Sequence, residues 1–156
     1  MAVLLHAKEG NIMEWIFVED LQSEGLINEY EEVIKYHFPE DFKKCVRNYN
    51  GAYPVLEVFL SFRGKRKKKR VFNHLFSFNK NDVTTIWKYN DWNGRFQEWN
   101  TDGKMENFVA FAGDPFGNLI CFDKTDDKIV FIDHETLTVE NVTDTFTELI
   151  GSLRKS

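Results

Sequence analysis

Between Phe108 and Asp133 the sequence reads as three apolar runs broken by two clusters of turn-forming residues, and no other stretch restricts the fold as tightly. The runs Phe108 to Ala112 and Leu119 to Phe122 flank Gly113-Asp114-Pro115-Phe116-Gly117-Asn118. Glycine reaches positive φ, proline fixes φ, and aspartate and asparagine bond back to nearby backbone, so this cluster predicts a tight reversal between two strands. A second reversal, Lys124-Thr125-Asp126-Asp127, separates Leu119 to Asp123 from Lys128 to Asp133. The expectation is an antiparallel meander of three short strands. Its turns carry no serine or cysteine nucleophile, no glycine-rich phosphate loop and no paired metal ligands, which marks it as scaffold rather than active site.

The remaining chain supplies helices and further strands. Glu14 to Val18 predicts a short opening strand. Leu26, Ile27, Tyr30, Val33 and Ile34 share one helical face, with Ser23 or an Asn28/Glu31 capping box as alternative starts. Pro39, with Glu40 and Asp41 behind it, opens a second helix whose stripe is Phe42, Cys45, Val46 and Tyr49. Asn50-Gly51 ends it, because both residues tolerate the left-handed conformation. Pro54 to Phe62 and Val71 to Phe78 predict strands. Asn81 to Tyr89 predicts a third helix through Val83, Ile86 and Trp87, and a last helix from Asp144 buries Phe146, Leu149, Ile150 and Leu153. Helices that precede, interrupt and close a set of mostly antiparallel strands give an α+β fold. One domain is expected over residues 13–153, with a central sheet and flanking helices. Residues 1–12 show no period and are expected to form a frayed N-terminal extension, Met13 being an alternative start.

A chain of 156 residues buries roughly two thirds of its unfolded surface. With 15 phenylalanines, 5 tyrosines and 4 tryptophans, the core must be largely aromatic. Cys45 and Cys121 both sit inside apolar patterns and are expected as buried free thiols. Val3-Leu4-Leu5 is too short for a signal peptide, and no run approaches the roughly 18 apolar residues of a membrane span. A soluble, cytoplasmic protein is expected.

The candidate chemistry is sparse. None of His6, His37, His74 and His134 pairs with a second histidine or a cysteine at zinc spacing. Asp123, Asp126, Asp127 and Asp133 are read as turn formers, the alternative being a cation site at one end of the meander. A hydrolase using His134 beside Asp133 lacks a serine or cysteine motif to go with it. Asn141-Val142-Thr143 matches a glycosylation acceptor and is incidental without a secretory signal. No cofactor, metal or catalytic residue is expected. The six consecutive cations Lys65 to Arg70 stand out: without them a net charge of −5 would be −11. They read as a solvated hairpin tip whose like charges discourage strand pairing, the alternatives being phosphate or anionic-surface binding or a nuclear import signal. The acidic balance argues against direct nucleic-acid binding. Asn90 to Lys104 is a polar loop studded with aromatics. Aromatic anchors ringed by charge are typical of protein interfaces, so Asp91, Trp92, Glu98, Trp99 and Asp102 are the candidate partner-binding residues.

Four stretches, taken in order, resemble the SUKH superfamily. They are Glu14-Trp15-Ile16-Phe17-Val18-Glu19; Phe38-Pro39-Glu40-Asp41-Phe42 leading to Asn48-Tyr49-Asn50-Gly51; Phe108 to Asp123; and Val142-Thr143-Asp144-Thr145-Phe146-Thr147-Glu148-Leu149. Thr145 stands where a serine is usual and Ala52 where a second glycine is frequent. The superfamily includes yeast cell-wall-assembly regulators and bacterial toxin-immunity proteins. The resemblance implies an α+β fold around one sheet and no catalytic apparatus. It also implies a cognate toxin, often a nuclease, as partner, with a cell-envelope regulatory scaffold as the alternative. It supplies no set of toxin-contacting residues.

Overall fold

The computed structural model describes residues 3–6, 12–92, 94 and 96–156, with Val3 to His6 and Ile12 described as backbone only. The strands are β1 (Val3–His6), β2 (Ile12–Ile16), β3 (Tyr53–Pro54), β4 (Val58–Arg63), β5 (Arg66–Val71) and β6 (His74–Leu75). They continue with β7 (Phe108–Gly113), β8 (Leu119–Asp123), β9 (Ile129–Ile132) and β10 (Val139–Thr143). The helices are α1 (Gly25–Ile34), α2 (Glu40–Tyr49), α3 (Ile86–Tyr89) and α4 (Phe146–Ser152). A seven-stranded antiparallel sheet runs β5-β4-β10-β9-β8-β7-β6, and a small sheet runs β1-β2-β3. The fold is α+β, built on the meander β7-β8-β9 as the sequence predicts.

Consecutive strands β5 and β6 lie at opposite edges of the large sheet, yet only Phe72 and Asn73 separate them. Three Cα–Cα steps span at most roughly 11 Å, so the sheet must curl until its two edges nearly meet. The Phe72 N–H donates to the Glu57 carbonyl (2.7 Å) and the Asn73 N–H to the Gly113 carbonyl (2.9 Å), which ties the corner to both sides.

Aromatic packing fills the sheet face beneath the helices. Phe42 of α2 packs against Phe111, Phe122 and Phe146 at centroid separations of 5.2, 5.2 and 5.3 Å, and Phe111 stacks on Phe122 at 4.4 Å. Each such ring, fully buried, contributes on the order of 2 kcal/mol. Both thiols are buried and free, as expected.

Several boundaries shift for identifiable reasons. The opening strand ends at Ile16, because Phe17 adopts a left-handed φ of 57°. Helix α1 begins at Gly25, whose N–H donates to Ser23 Oγ (3.2 Å), so the start lies near Ser23 and the alternative Asn28/Glu31 capping box does not form. Instead Glu31, 4% exposed, accepts the Phe38 N–H (2.7 Å) with Lys43 3.3 Å away, locking the α1–α2 connection. The run Pro54 to Phe62 divides into β3 and β4 where the chain passes between the sheets, and the run Val71 to Phe78 divides at the curled corner. The third helix is only Ile86–Tyr89, capped by Thr85. The preceding residues form a turn in which Asn79 and Asp82 bond each other (3.0 Å), leaving Val83 exposed. Strand β10, absent from the sequence reading, contains the Asn141-Val142-Thr143 match. Of residues 1–12, Val3–His6 pair with β2, while residues 1–2 and 7–11 lie outside the described set. Among the described residues no helix is long and apolar enough to cross a membrane.

Candidate protein-binding surfaces

The aromatic loop after α3 is held to the sheet by Asn90. Its side-chain amide donates to the Ala110 carbonyl (2.9 Å) and accepts the Ala110 N–H (2.6 Å), so it stands in for a strand partner on β7. Trp92 follows and turns inward. It is 6% exposed, with its indole N–H donating to the Phe108 carbonyl (3.2 Å), which makes it a core side chain rather than a surface anchor. Trp99 is half-buried, packed against Phe96 (5.5 Å) and stacked over His134 (6.3 Å). Asp91, Glu98 and Asp102 are exposed. Asp102 and Gly103 both take left-handed φ, 55° and 71°, which kinks the backbone at the acidic tip. Of the five candidates, therefore, one ring lies inside, one forms a half-buried wall, and three carboxylates face solvent.

The meander turns are hydrogen-bonded scaffolds. Asp114 Oδ1 accepts the N–H groups of Phe116 and Asn118 (both 2.8 Å), and Gly117 supplies a φ of 92°. Asn118 Oδ1 then receives the His134 N–H (2.9 Å) and lies 2.6 Å from His134 Nδ1. The partner of His134 is thus an amide, while the neighbouring Asp133 lies 3.7 Å from Arg70. The four meander aspartates do not all converge: Asp123 ends β8 and Asp126 and Asp127 follow it in the β8–β9 turn, while Asp133 lies at the far end of β9. Among the described residues no group of three or more histidine, cysteine or acidic side chains is placed to hold a metal ion. Burial raises the Asp123 carboxyl pKa, but hydrogen bonds from Thr125 and Asn107 outweigh it and leave that pKa below the ordinary carboxylate value. Burial pushes both thiols well above their usual range, so neither is a nucleophile at neutral pH.

The basic run is not a hairpin tip. The β4–β5 turn sits at Gly64 and Lys65, and residues 66 to 70 belong to edge strand β5. Pairing places Lys67 opposite Phe62 and Lys69 opposite Leu60 on one face, and Lys68 opposite Ser61 and Arg70 opposite Phe59 on the other. Arg70 differs from its neighbours. Its guanidinium reaches Glu140 of β10 with contacts of 2.7 and 2.8 Å and lies 4.3 Å from the Phe131 ring centroid. Lys65 to Lys69 are exposed, and among the described residues none of them is ion-paired. Sequence alone sees six equivalent cations; the alternation of β5 and the acceptor on β10 single out the sixth.

The SMI1/KNR4 family model (SUKH-1) matches residues 22–152. The chain belongs to the SMI1/KNR4 family. The matched span takes in α1 through α4 and the whole large sheet, but not β1 or β2. No curated protein matches the chain. Three of the stretches that carried the resemblance have structural roles within this SUKH-1 domain. Asn50-Gly51 closes α2, Asp114 to Asn118 shape the β7–β8 turn, and the Thr145 hydroxyl accepts the Glu148 N–H (3.1 Å) at the start of α4. Threonine caps that helix as a serine would.

Proposed function

We infer that this SUKH-1 protein is an immunity protein that neutralises a cognate bacterial toxin by binding it, without turnover. The observation that carries the reading is the exposed acidic set Asp91, Glu98 and Asp102 on the loop that also holds the half-buried Trp99. Acidic groups beside an aromatic wall suit the basic, substrate-binding surface of a nuclease, and they speed association by steering. The superfamily includes toxin-immunity proteins, which is the second support. The proposed contacts are Asp91, Glu98, Asp102 and the exposed part of Trp99, with Trp92 holding the loop in place from within.

The test is co-expression with the toxin encoded beside this gene. Wild-type protein should rescue growth and co-purify with the toxin. Charge reversal at Asp91, Glu98 and Asp102 together should abolish both while the variant stays folded. Full protection by that triple variant would move the interface elsewhere, and failure of the wild type against every neighbouring toxin would overturn the immunity reading. A cell-envelope regulatory scaffold is the alternative, because the SUKH superfamily that the chain resembles also includes yeast cell-wall-assembly regulators. A cell-wall-synthesis phenotype on deletion, without any change in toxin sensitivity, distinguishes it.

A further inference from the structure

We propose that the outer face of the β4–β5 hairpin is a second docking surface, built to take an acidic protein segment with interspersed apolar side chains. Leu60 and Phe62 are 39% and 38% exposed on consecutive same-face positions of β4, and their β5 partners on that face are Lys69 and Lys67. Val83 and Phe116 are more exposed still, but each sits alone in a turn. Leu60 and Phe62, by contrast, border a groove of about 410 Å³ lined also by Val58, Val142, Arg154 and Lys155. An apolar floor rimmed by cations is thus open on a protein whose net charge is −5. The unpaired state of Lys67 and Lys69 among the described residues leaves their charge free for a partner's carboxylates.

Charge complementarity selects an acidic partner, and the apolar floor selects a protein segment over a nucleic acid. A duplex presents one phosphate per roughly 1.7 Å and offers nothing apolar for Leu60 and Phe62 unless it is deformed. A long polyanion or a flat anionic membrane would also meet the −11 carried by the rest of the chain. A short peptide feels mainly charges within a Debye length of roughly 8 Å, where the five lysines and arginines from Lys65 to Lys69 dominate. This surface is independent of the toxin-binding reading.

The test is fluorescence anisotropy with a short labelled peptide alternating glutamate and leucine, run against a lysine-for-glutamate peptide, single-stranded DNA and phosphatidylserine vesicles. The acidic peptide should bind, with affinity falling as salt rises. Lys67→Glu with Lys69→Glu, and separately Phe62→Ser, should each weaken it at least tenfold with circular dichroism unchanged. Lack of binding, or binding that ignores both variants, overturns the proposal. DNA or vesicles binding more tightly than the peptide and indifferently to Phe62→Ser would also overturn it, in favour of a general polyanion site. Sedimentation that shows self-association abolished by the same variants would assign the surface to a second copy of this chain instead. No toxin enters the assay, so its failure and that of the immunity reading are separable.

Discussion

Arg70 and Glu140 pair across β4, the guanidinium of one edge strand gripping the carboxylate of β10 at 2.7 and 2.8 Å while Ser61 between them donates to the same carboxylate (2.6 Å). Both side chains are largely buried, 13% and 7% exposed. Removing one partner leaves the other charged and desolvated, at a cost of about 3–5 kcal/mol. Arg70→Ala and Glu140→Ala are each expected to lose about that much in urea unfolding. The double variant Arg70→Met with Glu140→Leu should recover most of the loss, because packed apolar groups substitute well for a buried pair. A double variant that loses the sum of the two single losses would mean that the pair is not coupled.

Asn50 predicts a different kind of loss. It is 1% exposed, donates to the Glu19 carbonyl (2.8 Å) and Ser77 Oγ (2.9 Å), and accepts the Phe78 N–H (2.9 Å). Truncation strands a backbone donor and acceptor away from water, and each such group costs about 1–3 kcal/mol. Asn50→Ala should therefore lower stability by roughly 3 kcal/mol in total, measured by denaturant unfolding. Asn50→Gly should do no better, because the native φ of −51° gains nothing from glycine.

That contrast marks what the chain makes legible. The α2 stop and the meander were readable because short-range signals fix them: the stripe Phe42, Cys45, Val46 and Tyr49, and the turn chemistry of Asp114 and Gly117. Asparagine tolerates the left-handed conformation, yet of the pair Asn50-Gly51 only Gly51 adopts it, at φ 69°, and Asn50 is instead a buried connector to residues distant in sequence. Glu31 likewise has the spacing of a local cap to Asn28 but serves as a link from α1 to Phe38 and Lys43. Propensity reports on a residue's neighbours in sequence and is blind to partners far along the chain. The candidate loop was found from its composition, yet whether each ring faced in or out depended on the carbonyl of Phe108, which no local pattern announces.

His74 carries the pH prediction. It is 8% exposed, stacked on Tyr53 (4.9 Å), with Nε2 2.9 Å from Thr84 Oγ1, and burial holds its pKa below the ordinary histidine value. The folded state therefore resists protonation while the unfolded chain accepts it at about 6.5. Its stabilising contribution is complete above that value and is lost as pH falls through the folded pKa. Unfolding free energy should drop as pH falls below about 6.5, and His74→Gln should flatten that part of the profile. An unchanged slope would assign the acid sensitivity to carboxylates such as Asp123, whose depressed pKa acts with the same sign at lower pH.

Phe17 separates a backbone cost from a side-chain contribution. It holds φ 57° at 67% exposure, and its ring meets the edge of Tyr53, at 5.8 Å. A left-handed conformation costs a residue with a Cβ about 1–2 kcal/mol and costs glycine almost nothing. Phe17→Ala keeps that penalty and loses the ring contact, so it should be destabilised; Phe17→Gly loses the same contact and sheds the penalty. The glycine variant should exceed the alanine variant by about 1 kcal/mol in denaturant unfolding, although glycine is the more flexible residue in the unfolded chain. The reverse order would mean that the Phe17 backbone relaxes out of the left-handed region in solution.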